Sequence, residues 1–299
     1  MCIRDRLGTL YVVATPIGNL EDFTLRAIRV LQEVHLIAAE DTRRTATLLR
    51  HYSISTPTTS FHAHNEQQKQ ASLLSKLEQG QLLALVSDAG TPTLSDPGTR
   101  LIAAAHTRGI RVEAVPGASA ILTALVSSGM TADQFLFAGF PPSRAKDRTA
   151  WLERLADEPR PIVIFESPHR ILKLLGHMRD IFGDREITLG RELTKKHEEL
   201  VKGPISFVIN KLTSIKGEFT LVISPSIPDK RKNVPVDKML NVSSHQAVLS
   251  DASVYSGTTK ASCGISGLNL IDSVIDSPPG SPFCSRVSLK GSLMPSTSR

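Results

Sequence analysis

The segment Asp88-Ala89-Gly90 is the most informative chemical feature of this 299-residue sequence. It follows the apolar run at residues 82–86, which is typical of a buried strand, and the side chains then become abruptly small. Small residues at the carboxyl end of a strand allow a ligand to contact the backbone directly. By itself the segment also fits a tight turn built from Gly and Pro.

The same layout recurs along the chain, which favours a binding site over a simple turn. Apolar runs are followed by compact polar clusters at residues 15–19, 40–44, 116–120, 141–146, 166–170 and 191–195. Open α/β sheets bind ligands outside the carboxyl ends of their strands. The repeated clusters therefore predict the rim of an active site.

The clusters also carry a family resemblance, which extends from about Gly8 to Ser226. They read TPIGNL at 15–20, AEDTR at 39–43, HNE at 64–66, VSDAGTP at 86–92, SDPG at 95–98, ESPHR at 166–170 and RELTK at 191–195. Taken together and in this order they resemble the tetrapyrrole-methylase superfamily of S-adenosylmethionine-dependent methyltransferases. Within it they are most similar to the small-subunit ribosomal RNA methyltransferase I family, which methylates the ribose 2′-hydroxyl of a cytidine in 16S RNA.

The resemblance implies a fold and a cofactor site. The expected fold is α/β, with two α/β/α domains of the class III methyltransferase type and S-adenosylmethionine bound between them. The matching cofactor-binding positions are Pro16, Asp88, Ala89, Gly90, Thr93, Leu94, Ser95, Ser119, Ala120 and Phe140. The sequence lacks a Gly-x-Gly-x-x-Gly segment before a helix, so the common dinucleotide-binding loop is not expected.

A ribose hydroxyl is a weak nucleophile near neutral pH, so the implied reaction needs a proton acceptor or a group that stabilises the alkoxide. The candidates among the strand-end clusters are Asp41, Arg43, Glu66, Glu166 and Arg191. Each of them could equally be half of a salt bridge that fixes a loop. The sequence does not choose the base.

The charge of the chain favours a polyanionic partner. The net charge is +6 and the sequence pI is about 9.3. Phosphate contacts with ribosomal RNA, free or in an assembled small subunit, are expected at Arg44, Arg144, Lys146, Arg148 and Arg170. The resemblance further implies a homodimer.

Composition limits the other classes of function. No apolar run approaches the roughly 20 residues that span a bilayer, and the first residues lack a signal-peptide core, so the expected compartment is the cytoplasm. The three cysteines, Cys2, Cys263 and Cys284, all lie outside residues 7–226, and no His-rich ligand pattern replaces them. No metal site is expected.

Four segments are predicted along the chain. Residues 1–7 resemble a translated cloning leader, 8–115 and 116–226 form two α/β domains, and 227–299 form a Ser-rich tail that is expected to be disordered or non-native. Two alternatives for the function stay open at this point. They are a tetrapyrrole C-methyltransferase with the same cofactor site, and a non-catalytic RNA-binding protein that retains the fold.

Overall fold

A computed structural model describes residues 7–226 of the chain. The predicted tail at 227–299, and the predicted leader except for Leu7, lie outside the described residues. Two five-stranded sheets account for the strands of the described part.

The first sheet is parallel throughout. Its strands are β1 (Thr9–Val13), β2 (Leu36–Ala39), β3 (Thr58–Ser60), β4 (Leu83–Val86) and β5 (Arg111–Val115), in the spatial order β3-β2-β4-β1-β5. The helices that connect them are α1 (Leu25–Glu33), α2 (Thr42–His51), α3 (Glu66–Glu78) and α4 (Thr99–Thr107).

The second sheet is mixed. Its strands are β6 (Leu136–Gly139), β7 (Ile162–Glu166), β8 (Glu186–Arg191), β9 (Glu199–Pro204) and β10 (Phe219–Ile223), in the order β6-β7-β10-β8-β9. Strands β6 and β7 are parallel, whereas β10 is antiparallel to both β7 and β8, and β9 is antiparallel to β8. Four helices accompany this sheet: α5 (Ala120–Ser128), α6 (Ala145–Leu155), α7 (Ile171–Phe182) and α8 (Ile205–Lys211).

Apolar side chains bury both faces of each sheet. On the first sheet, Leu31 of α1 belongs to one core cluster and Leu74 of α3 to another. On the second sheet, Leu174 of α7 and Leu125 of α5 belong to separate clusters. Each fully buried leucine contributes roughly 2 kcal/mol through removal of its apolar surface from water. The expected α/β fold with helices on both sides of its sheets is confirmed.

The register of the strands brings the polar clusters to common edges. Ala39 lies beside Val86 in the parallel pair of β2 and β4, so the segments that begin at Glu40 and Ser87 leave the sheet together. In the second sheet, Phe219 lies beside both Glu166 and Arg191. The predicted domain boundary near residue 116 falls between β5 and α5, and the division into domains stays a prediction.

Candidate active site

A cavity of about 380 Å³ lies at these strand ends, within one compact unit of the chain. Small-molecule sites in proteins commonly have volumes of about 300–1,000 Å³. Eight of the ten predicted cofactor positions line this cavity, namely Asp88, Ala89, Gly90, Leu94, Ser95, Ser119, Ala120 and Phe140. Pro16 and Thr93 do not line it, but each precedes a lining residue.

The loop after β4 has an unusual backbone. Gly90 has a φ of +77°, and it exchanges two backbone hydrogen bonds with Thr15, at 2.8 and 3.0 Å. Thr93 and Ser95 have φ values of 74° and 75°, in the left-handed region that disfavours side chains. Strained non-glycine residues persist only where the surrounding structure imposes them, and they are frequent at functional sites.

Three carboxylates converge on one side of the cavity. Glu40, Asp88 and Asp96 all line it. Asp88 accepts the backbone N–H of Asp41 at 2.9 Å and donates its own N–H to Glu40 at 3.3 Å, which ties the loops after β2 and β4 together. Burial, together with the negative charges of Glu40 and Asp88, raises the pKa of Asp96 to about 6. Burial and the charge of Asp88 also raise the pKa of Glu40.

The cavity as a whole is acidic. Two further carboxylates, Glu166 and Glu218, line it, whereas Arg44 is the one Lys or Arg among the lining residues that the structure describes. Arg44 itself lies 3.4 Å from Asp88. Such a lining favours a cationic ligand and disfavours phosphates or multiple carboxylates inside the cavity.

Of the five predicted catalytic residues, only Glu166 lines the cavity. Arg43 pairs with Asp41, and its hydrogen bonds hold the pKa of the Asp41 carboxyl well below its usual range, which makes that carboxylate a weak base. Glu66 accepts the backbone N–H of Gly98 at 3.2 Å. The catalytic roles of these three stay predictions.

Arg191 lies in an internal ion pair. Its guanidinium contacts Glu199 at 2.8 Å and the carbonyl of Lys216 at 3.3 Å, and only 12% of its side chain is exposed. Arg191 and Glu199 are cross-strand partners in β8 and β9. The ion pair stabilises this hairpin, and Arg191 itself does not line the cavity; its catalytic role stays a prediction.

The cations predicted to contact RNA fall into two groups: some are exposed to solvent, and others are engaged in internal hydrogen bonds. Arg144 and Lys146 are exposed at the start of α6. Arg148 is buried, with a relative exposure of 6%, and its guanidinium donates to His177 and to the carbonyls of Pro142 and Ser143. A buried side chain with these partners packs α6 against its surroundings, and an RNA contact of Arg148 stays a prediction.

Arg170 is also committed to internal contacts. It donates to Glu166, to the hydroxyl of Ser143 at 2.9 Å and to the carbonyl of Pro141 at 3.0 Å. Its role is therefore to hold the segment after β6 against the end of β7, and its use as a phosphate ligand stays a prediction.

Sequence reasoning missed Asp96 and left Glu40 off the list of catalytic candidates. Asp96 lies ten residues beyond the end of β4, and only the fold brings it close to Glu40. A usable signal existed in the SDPG motif at 95–98, where an acidic residue stands among residues typical of a tight turn.

Residues 7–226 contain neither a candidate metal site nor a candidate membrane span. No group of three or more His, Cys, Asp or Glu side chains is arranged to hold a metal ion there. No helix in this part of the chain is long and apolar enough to cross a membrane.

Comparison with known proteins identifies the family. The pattern of the family described as Tetrapyrrole (Corrin/Porphyrin) Methylases matches residues 9–208. A Synechocystis protein named ribosomal RNA small subunit methyltransferase I is 48% identical over 228 residues, which is 75% of this chain and 82% of that protein. The chain belongs to this methyltransferase family. Its Bacillus subtilis member is 46% identical over 225 residues, covering 75% of this chain and 77% of the relative.

Solved structures confirm the fold of this family. Uroporphyrin-III C-methyltransferase from Thermus thermophilus, in complex with S-adenosylhomocysteine, matches with a TM-score of 0.53 at 18% identity, covering 73% of this chain and 97% of that one. A diphthine synthase matches with a TM-score of 0.57 at 9% identity, covering 72% and 89% of the two chains. These two proteins are named for different acceptors, so the shared fold does not identify the methyl acceptor.

Proposed function

We propose that this chain transfers a methyl group from S-adenosylmethionine to the 2′-hydroxyl of a cytidine in small-subunit ribosomal RNA. The chain is a methyltransferase by family membership. The relatives' name supports small-subunit ribosomal RNA as the substrate. A ribosomal substrate also supports the cytoplasm as the compartment.

The acidic cavity fits the methyl donor. When bound, S-adenosylmethionine supplies an electrophilic methyl group on a positively charged sulfur, and it carries an ammonium group as well. Glu40, Asp88 and Asp96 would face this positive charge. The small side chains of Ala89 and Gly90 would allow close approach to the backbone.

Asp96 is the lining carboxylate best suited to accept the proton. It lines the cavity, and its pKa of about 6 lies near the working pH, where a general base is most effective. S-adenosylmethionine held beside Glu40 and Asp88 would supply the methyl group, and its departing sulfur would keep the electron pair of the carbon–sulfur bond. The Asp96 carboxylate would accept the proton of the attacking 2′-hydroxyl.

The phosphates of the RNA would remain outside the cavity. Arg144 and Lys146 are exposed just beyond Phe140, which lines the cavity. Exposed cations in the segment after Phe140 would hold phosphates at the surface, while the cavity with its carboxylates would admit a nucleoside. An acceptor that is methylated on its ribose can place that sugar in the cavity and leave its phosphates outside.

The same charge distribution argues against the tetrapyrrole alternative. Tetrapyrrole precursors carry many carboxylates, and they would face Glu40 and Asp96, which form no ion pair among the described residues, whereas Asp88, Glu166 and Glu218 pair with Arg44, Arg170 and Lys195. Repulsion between like charges would oppose their binding. The acidity of the cavity is the single observation that carries the choice of acceptor class. It is tested by comparing methyl transfer to small ribosomal subunits with transfer to a tetrapyrrole precursor.

We propose that two copies of the chain associate through α5. Leu122 and Val126 stand one turn apart on this helix, with relative exposures of 54% and 80%. Apolar side chains at this spacing share one face of a helix, and an exposed apolar face is typical of an association surface.

A further inference from the structure

The two carboxylate oxygens of Glu166 differ in their hydrogen-bond partners. Its Oε1 accepts four contacts, from the Ser167 N–H at 2.7 Å, the Ser167 hydroxyl at 3.3 Å, and Arg170 Nε and Nη2 at 2.7 and 2.6 Å. Its Oε2 is buried and has no hydrogen-bond partner within residues 7–226. A buried acceptor without a donor is costly and uncommon in folded proteins.

The position of Glu166 suggests where the missing donor comes from. Glu166 is the last residue of β7, it is only 2% exposed, and it lines the cavity together with Ser167 and Pro168. Oε2 is the oxygen that the donors of Oε1 leave without a partner, and it belongs to a residue that lies against the cavity. A hydrogen-bond donor on a bound molecule would then satisfy Oε2.

The neighbouring contacts indicate which molecule this is. Arg170 joins Glu166 to Pro141 and Ser143, and the chain continues directly into the exposed cations Arg144 and Lys146. If these cations hold the phosphate of the acceptor nucleotide, its base enters the cavity on the Glu166 side. The adenine of the methyl donor also carries an amino group, and the experiment below separates the two bases.

We propose that Glu166 is the residue that selects cytidine, by accepting a hydrogen bond from the N4 amino group of the base. A carboxylate only accepts hydrogen bonds, and cytosine presents a donor at this position where uracil presents the acceptor O4. With uridine, the Glu166 carboxylate and O4 of the base would therefore face each other, and both are hydrogen-bond acceptors. This inference rests on the proposed function and adds the origin of its base specificity.

The test combines protein variants with altered RNA. Wild-type protein, Glu166→Gln and Glu199→Gln are compared on small ribosomal subunits that carry cytidine, uridine or the amino-free pyrimidin-2-one nucleoside at the methylated position. Glu199 is the matched control, because it also pairs with an arginine, Arg191, but does not line the cavity. The measured quantities are kcat/KM for each RNA and the affinity for S-adenosylmethionine.

The expected result is a change in base preference. Wild-type protein should prefer cytidine over both other nucleosides by about tenfold or more, as one base-reading hydrogen-bond pair provides. Glutamine can turn an amide N–H toward O4, so Glu166→Gln should lower the cytidine-to-uridine ratio by about tenfold or more. Glu199→Gln should keep the wild-type ratio, and the affinity of Glu166→Gln for S-adenosylmethionine should stay unchanged.

Several results would overturn the inference. An unchanged ratio in Glu166→Gln excludes base reading by this residue, and a fall in cofactor affinity at constant ratio assigns Oε2 to the adenine amino group instead. If Glu166→Gln does not fold, equal wild-type rates on cytidine and pyrimidin-2-one exclude the hydrogen bond, and a loss of about tenfold supports it. A wild-type protein that binds the cofactor but methylates no small-subunit RNA would reject the proposed function itself, and the inference with it.

Discussion

The side chain of Asp88 accepts the backbone N–H of Asp41 at a distance of 2.9 Å. This hydrogen bond joins the loops that follow two adjacent parallel strands, and Glu40, Asp88 and Asp96 all line the cavity at their ends. Burial of Asp96, together with the negative charges of Glu40 and Asp88, raises its pKa to about 6.

Replacement of Asp96 by Asn should remove the proton acceptor. General-base catalysis commonly contributes about 10²–10⁴-fold, so kcat should fall by about 100-fold or more while the affinity for S-adenosylmethionine changes far less. The wild-type rate should increase as pH rises through about 6 and then level off, because the base must be ionised. Single-turnover kinetics across pH 5–9 would measure both effects. A variant that retains the wild-type rate and pH profile would exclude Asp96 as the base.

The same substitution should stabilise the protein at neutral pH. The pKa of Asp96 is higher in the folded state than its ordinary value of 3.8, so ionisation of Asp96 opposes folding. Asp96→Asn should gain about 1 kcal/mol of unfolding free energy at pH 8, after allowance for the partial exposure of the group. The gain should be complete above about pH 6 and should fade as pH falls toward 3.8, where the acid is protonated in both states. Urea unfolding at several pH values would detect the trend, and a gain that grows on acidification would contradict it.

Joint replacement of Arg144 and Lys146 by Ala should weaken RNA binding and reduce its salt dependence. Each lost phosphate contact should lower the slope of log K against log salt by about one unit, and cofactor affinity should be unaffected. Arg154→Ala is a suitable control, because Arg154 is also exposed but lies in the last turn of α6. Filter binding over a salt series would test this, and an unchanged slope in the double variant would show that the two cations do not contact phosphate.

Introduction of a charge on the exposed face of α5 should disrupt the proposed dimer. Val126→Glu would bury a carboxylate in an apolar contact, so the protein should become monomeric at micromolar concentration. Leu172→Glu provides the control, since Leu172 is an exposed apolar residue on α7. Sedimentation analysis would measure the mass of each protein in solution. A wild-type protein that is monomeric, or a Val126→Glu variant with the same mass as the wild-type protein, would reject α5 as the interface.

The sequence predicts which residues line the cavity better than it predicts which of them take part in the reaction, and individual residues show why. The small residues after β4 follow a continuous apolar strand, and that local pattern places Asp88, Ala89 and Gly90 correctly in the cavity lining. The closeness of Asp96 to Glu40 depends on contacts between distant loops, and no local spacing encodes it. Arg191 pairs with Glu199 across β8 and β9, and β9 has no clear apolar pattern of its own.

Two other internal contacts had a readable signal. Arg148, Leu152 and Leu155 are spaced at i, i+4 and i+7, which places them on one face of a helix, so the burial of Arg148 could have been inferred from Leu152, which is buried, and Leu155, which is partly buried. Glu166 and Arg170 are four residues apart, which is the spacing of a local ion pair. In both cases the sequence offers an internal partner close to a positive charge that we predict to contact phosphate.

The most direct test of the account is the identity of the methylated atom. Small ribosomal subunits from a strain that lacks this protein would be incubated with it and isotopically labelled S-adenosylmethionine, and the RNA would be digested and mapped by mass spectrometry. The account predicts one labelled cytidine with the methyl group on its 2′-oxygen, and about 100-fold less label with Asp96→Asn. Label on a base, on a nucleoside other than cytidine, or only on a tetrapyrrole precursor supplied in parallel would contradict it.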